Sequence, residues 1–170
     1  MKTRYITAPL AAFMLVAMAV AVHADPIELE WKTIVQGLEN APKENKFIVL
    51  DIYTDWCGWC KRMDRDTYRD SNVVGYMSSR FIPCKMNPEK PGKLTYDGKE
   101  YTLGEFSQAI GVSGFPTTVI FDQKGKILTA LPGYMAPKDF LPLLKYFGEG
   151  VYQSGTSYED YIKGGGAKSN

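Results

Sequence analysis

The chain has 170 residues, of which 45% are apolar and 23% charged, the composition of an ordinary globular protein of one domain. Its formal net charge is +1, and removing the basic start at Lys2 and Arg4 leaves 18 lysines and arginines against 19 acids. Nothing in that balance argues for a nucleic-acid partner or a basic membrane-surface patch.

In chain order, Lys2 and Arg4 precede an apolar run from Leu10 to Val22, and Val22-His23-Ala24 offers a small-residue cleavage site. The run has 13 residues, short of the ~20 that a helix needs to cross a bilayer. Residues 1–24 therefore read as a cleaved signal peptide, with a mature chain from about Asp25 that is periplasmic or secreted. The only histidine, His23, would leave with that segment. The mature chain then has no imidazole, which removes cysteine-protease chemistry and most zinc sites.

The alternation Ile27-Glu-Leu29-Glu-Trp31 predicts a short edge strand or extended lead-in. Trp31, Ile34, Val35 and Leu38 recur at helical spacing, and that helix is expected to fail around Asn40-Ala41-Pro42. Phe47 to Tyr53 reads as a buried strand, followed by a helix to about Thr67 and a second one over Val73–Ser79, capped by Asp70 or Ser71. Arg80 to Asn87 predicts the next strand. Residues 88–101 look like an insertion with an Asp97-Gly98 hairpin turn. Thr102 and Glu105 then match a capping box that opens a helix to Gly111. Strands follow at Thr117–Phe121 and Lys126–Leu131, the second pairing back antiparallel. A last main helix carries Phe140, Leu141, Leu143, Leu144 and Phe147, with Pro142 expected to bend its first turns. Residues 149–170 form an extension with a short helical segment at Ser157–Ile162 and a disordered end.

The chemistry concentrates at Cys57-Gly58-Trp59-Cys60, where the strand gives way to a helix. The first N–H groups of a helix lack intrahelical partners and carry partial positive charge, so they favour a thiolate. A free cysteine titrates at about 8.5, and this setting lowers it to roughly 3.5–7.5. Cys57, at the helix mouth, is expected to be the more exposed, attacking sulfur; Cys60, one turn inside, would resolve the mixed disulfide. With three cysteines in an exported chain, the count suits a reactive pair better than a disulfide framework. No metal and no cofactor beyond the cysteines is expected, and a c-type haem is excluded because Lys61 stands where histidine would be needed.

The element order, Trp56-Cys57-Gly58-Trp59-Cys60-Lys61 and Gly114-Phe115-Pro116-Thr117 together resemble the thioredoxin-like superfamily. The resemblance spans about Trp31 to Phe147 and implies an α/β thioredoxin-like domain, placed at 25–148, with a central mixed sheet flanked by helices. It is similar within that superfamily to exported thioredoxin-related proteins and to the C-terminal domain of periplasmic disulfide reductases. By this resemblance Asp51 is a buried acid that takes the Cys60 proton through a water, and Lys85 shares its pocket. Pro116 is a cis-proline beside the dithiol that leaves the Phe115 backbone free for an extended substrate. Trp56, Gly58, Trp59 and Phe115 form the docking surface, with Trp56 expected mainly to pack and Tyr134 a further candidate. Cys84, next to Lys85 on a strand, should face away as an inert buried thiol.

The function this implies is an exported thiol–disulfide oxidoreductase acting on oxidised proteins, in the reducing direction, recharged by a membrane electron-transfer partner. Two alternatives stay open on the residues: a disulfide-forming oxidant, and a binding module whose dithiol is a spectator.

Overall fold

The computed structural model describes residues 28–165, so the expected signal segment and the last residues of the C-terminal extension lie outside the described residues. Five strands form the main sheet, β1 (Lys32–Thr33), β2 (Phe47–Ile52), β3 (Phe81–Met86), β6 (Thr117–Phe121) and β7 (Ile127–Pro132). Their spatial order is β1-β3-β2-β6-β7; β1 and β2 run parallel to β3, whereas β6 is antiparallel to both β2 and β7. Among the described residues, six α-helices accompany it: α1 (Ile34–Glu44), α2 (Gly58–Asp66), α3 (Ser71–Arg80), α4 (Leu103–Ala109), α5 (Pro137–Gly148) and α6 (Tyr158–Lys163). The mixed sheet flanked by helices is the architecture expected from the sequence.

Every residue of β2 is buried, because helices cover both faces of the sheet. Side chains alternate across a strand, so β2 divides into two rows. Ile48, Leu50 and Ile52 point into a core shared with Ile34 and Ala41 of α1 and Phe106 of α4. Phe47 and Val49 point into the other, with Met63 of α2, Met77 of α3 and Phe140 and Leu144 of α5. Asp51 continues this second row, and Lys85 stands opposite it on β3 and Thr118 opposite it on β6. The alternation therefore delivers three polar side chains to the face covered by α2.

The insertion is a two-stranded hairpin, β4 (Lys93–Tyr96) and β5 (Lys99–Thr102), whose turn residues Asp97 and Gly98 both have positive φ, 49° and 75°. Only a turn of this hand matches the twist of its flanking strands, which is why Asp-Gly marks it. Both halves of the Thr102–Glu105 capping box are formed, and Asp70 caps α3.

Some expectations change. The first helix does not fail at Pro42 but runs to Glu44. Pro42 is close enough to the end to forfeit a single hydrogen bond, while the fully buried Ala41 and a left-handed cap at Asn45 hold the last turn. Trp31 lies ahead of this helix and packs edge-on against Tyr68, at 4.8 Å between ring centroids. Val35 is exposed, so the buried stripe of α1 is Ile34, Gly37 and Ala41. The lead-in strand falls at Lys32–Thr33. A 3-10 turn at Val151–Ser154, not foreseen, places Tyr152 against Phe47 and Phe147.

Gly37 has a specific reason to be glycine. A Cβ there would stand 2.4 Å from the Cys84 Sγ, inside a core that cannot yield by that much. Gly37→Ala should therefore destabilise the protein by about 1–3 kcal/mol despite the better helix propensity of alanine. In a Cys84→Ala background the same change should cost little, a coupling that urea denaturation of the double-mutant cycle measures. An unshifted midpoint for Gly37→Ala alone would refute this packing account.

Candidate active site

β2 ends at Ile52, and the chain turns through Thr54-Asp55-Trp56 before α2 begins at Gly58. Cys57 is the N-cap of α2, with extended backbone at φ −72° and ψ 109°. Its N–H donates to the Thr54 carbonyl at 3.2 Å, and its Sγ accepts from the Cys60 N–H at 3.0 Å. The sulfur thus takes the place that a serine or aspartate oxygen holds in an ordinary N-cap. Cys57 and Cys60 are joined as a disulfide, with Cα atoms 5.3 Å apart. Both are buried, Cys57 at 5% relative exposure and Cys60 at 2%.

Beneath them, Asp51 is 1% exposed. Burial pushes its carboxyl up from 3.8 to about 6; the Lys85 ammonium pulls against that rise and the Asp64 carboxylate adds to it. Lys85 Nζ lies 3.3 Å from Asp51 Oδ2 and pairs more closely with Asp64 Oδ1. Three rings surround the same ammonium, Trp31 at 4.8 Å, Tyr53 at 5.0 Å and Tyr68 at 5.7 Å from their centroids. An open cavity of about 530 Å³, lined by Trp31, Asp64, Tyr68, Arg69 and Lys85 among others, connects this group to solvent.

Around the disulfide the surface is aromatic. Trp56 is 67% exposed and Trp59 55%. The expectation that Trp56 mainly packs is corrected: its ring meets Phe115 edge-on at 5.9 Å, and its Nε1–H donates to both Glu89 carboxylate oxygens, at 3.0 and 3.1 Å. Thr54 is buried but Asp55 and Trp56 are exposed, so the indole is held across the surface rather than drawn into the core. Trp59, Phe115, Gly133 and Tyr134 line a shallow groove of about 320 Å³. Arg62 sits over the rings of Trp59 and Tyr134, at 5.2 and 5.1 Å from their centroids. Nothing lies within 4 Å of where a Gly58 Cβ would be, so the flank of the disulfide is open there.

The Phe115–Pro116 bond is cis, and the Pro116 carbonyl accepts from the Gly133 N–H at 2.7 Å. The Phe115 N–H and C=O enter no backbone hydrogen bond among the described residues. Cys84 is fully buried in the core on the α1 side of the sheet, away from Lys85 as strand alternation requires, and burial pushes its thiol up to about 12. Among the described residues, no group of three or more His, Cys, Asp and Glu is placed to hold a metal ion, and no helix is long and apolar enough to cross a membrane.

Asp64, Tyr68, Arg62 and Glu89 were not singled out from the sequence. Asp64 carries a readable signal, since it lies one helical turn past Cys60 and so shares its face. The others have none, being ordinary surface or helix-end residue types.

Residues 35–148 match the family model described as the thioredoxin-like domain. The chain belongs to the thioredoxin-like domain family. Among curated relatives, the thiol:disulfide interchange protein DsbD of Yersinia pestis is 27% identical over 107 residues, which is 62% of this chain but only 16% of that relative. The chain thus spans less than a fifth of the length of the DsbD proteins it matches. Among solved structures, a thioredoxin-fold protein from Helicobacter pylori superposes with a TM-score of 0.59 at 27% identity, covering 76% of this chain and 89% of that one. A thioredoxin from Thermus thermophilus gives 0.61 at 20% identity over 76% of this chain and 94% of its own, a likeness of fold. Together these establish a thioredoxin-like fold with a Cys-x-x-Cys pair, related to disulfide oxidoreductases.

Proposed function

We propose that the protein is a thiol–disulfide oxidoreductase that reduces disulfides in other proteins. The observation that carries this reading is the Cys57 Sγ held at the first turn of α2, accepting the Cys60 N–H, with Cys60 already within bonding reach. In the reduced protein the Cys57 thiolate attacks a substrate disulfide, forming a Cys57–substrate bond and releasing one substrate sulfur as thiolate. Cys60 then gives its proton to the Asp51 carboxylate, and its sulfur attacks Cys57. The Cys57–Cys60 bond forms, the second substrate sulfur leaves, and that sulfur takes up a proton. The substrate is reduced by two electrons and the dithiol is oxidised by two.

Lys85 tunes the Asp51 carboxyl. Trp56, Trp59 and Phe115 receive the substrate, with the unpaired Phe115 backbone offering an extended segment a strand to pair with, beside Pro116 and the open flank at Gly58. Export completes the reading: residues 1–24 direct the chain out and are removed, the thioredoxin-like domain of 25–148 acts in the periplasm or outside the cell, and 149–170 is an appended segment. The dithiol then needs electrons from a membrane partner; similarity to a protein named for thiol:disulfide interchange supports the exchange chemistry itself.

The test is insulin reduction with dithiothreitol as electron source. Wild type should accelerate precipitation of the insulin B chain, and Cys57→Ser should fall to the uncatalysed rate. Equal activity in the two proteins would leave the dithiol a spectator and favour a binding module. Direction is read separately, by equilibrating the protein in glutathione buffers. A reductant should poise well below the value of about −120 mV typical of a strong oxidant.

A further inference from the structure

The proton chemistry proposed for Asp51 depends on a buried carboxylate whose nearest cation is claimed by a second acid. Lys85 projects from β3 directly opposite Asp51, yet its ammonium pairs more closely with Asp64 on α2. The side chain of Asp64 is 42% exposed and that of Asp51 2%, so the lysine bridges a wet acid and a dry one. Its seat is aromatic, with the ring centroids of Trp31, Tyr53 and Tyr68 at 4.8, 5.0 and 5.7 Å from the ammonium. Asp64 lies four residues beyond Cys60, on the same side of α2. One carboxylate thereby ties the helix that carries the cysteines to the cation that governs the buried acid.

We propose that Asp64 is a positioning residue which draws the Lys85 ammonium to the outer edge of its aromatic seat and so keeps Asp51 able to accept and release a proton at working pH. This rests on the reading that Asp51 takes the Cys60 proton. A lysine held by Asp51 alone would form a tight ion pair, and the carboxylate would then stay ionised and be a poor base. With Asp64 present, the cation is shared and a second negative charge faces Asp51. The other groups around Asp51 do not supply this. Thr118 on β6 is uncharged, and the Tyr68 phenol stays neutral because burial and the two carboxylates push it up. Glu28 and Arg69 line the outer cavity and not the carboxylate itself.

Carbon-13 titration of the Asp51 carboxyl in the oxidised protein, compared among wild type, Asp64→Asn and Asp64→Glu, tests the proposal. In Asp64→Asn the midpoint should fall by about one pH unit, the size of change a neighbouring charge produces. Asp64→Glu, which restores the charge, should return most of the way to wild type. The pH limb for resolution of a Cys57 mixed disulfide should move down with the carboxyl in Asp64→Asn. Unmoved Asp51 titration in Asp64→Asn would overturn the positioning role and leave the proposed function standing. If Asp51→Asn instead keeps the wild-type limb, Asp51 is not the proton acceptor, and that role and the positioning role built on it both fall while the dithiol exchange stands or falls on insulin reduction.

Discussion

Asp51→Asn is expected to make the oxidised protein more stable at pH 7, by about 3 kcal/mol, while it slows the resolving half of the exchange. The figure follows from linkage. In the unfolded chain this carboxyl titrates at 3.8, and in the folded protein burial raises it to about 6. The folded state therefore holds the proton more tightly, so stability falls as pH rises through the window from about 4 to 6 and stays at the lower level above it. Every tenfold difference in proton affinity between the two states is worth about 1.4 kcal/mol, and the group is buried enough that solvent screening takes little away. Asparagine has the shape of the protonated acid and never ionises, so the variant should keep the low-pH stability at all pH. Lys85 does not become an orphan, because Asp64 still pairs with it. Urea denaturation at pH 4 and pH 7 checks both parts: wild type should lose stability between them and Asp51→Asn should not. The thermal midpoint at pH 7 should rise by roughly 6–12 °C for a domain of this size. Equal stabilities at pH 7 would mean that the buried charge is compensated by contacts the variant loses.

That a protein keeps such a destabilising group where an asparagine would fit is itself informative about the site. The position of Asp51 could be read from the sequence, because an acid interrupting an apolar strand must be exposed, protonated or paired. The resemblance to the family put Lys85 in the same pocket, and strand alternation then turned Cys84 to the other side. The helix start at Cys57, the Asp97-Gly98 turn and the Thr102–Glu105 box were legible for the same reason: each is a local pattern in which residue type and spacing dictate geometry. What escaped reading is of a different kind. Glu89 reaching Trp56, Asp64 competing for Lys85, and Arg62 seated on Trp59 and Tyr134 join side chains whose types are common at any surface. Only the folded sheet and helices bring them together, and hydrophobic periodicity carries no record of them. The helix through Pro42 was missed because a local breaker was outweighed by tertiary burial of Ala41.

Cys60→Ser should leave attack by Cys57 nearly intact and slow release of the substrate by at least about a thousandfold, since a well-placed intramolecular group acts at an effective concentration far above 1 M and an external thiol at about 1 mM. The two halves separate because the backbone N–H of residue 60, which caps the Cys57 sulfur, survives the substitution. Only the resolving sulfur is lost. Mixed disulfide should therefore accumulate on Cys57, visible after acid quench by non-reducing electrophoresis and mass spectrometry. The remaining thiol cannot stand in for the missing one. Cys84 lies in the core between the sheet and α1, is fully buried, and has a proton held up to about 12, so it offers neither access nor thiolate. The doubly substituted Cys60→Ser, Cys84→Ala protein should accordingly trap substrate no longer than Cys60→Ser alone. Release from Cys60→Ser at the wild-type rate would show that the second sulfur of the pair does not resolve the intermediate, and the two-cysteine cycle would have to be abandoned.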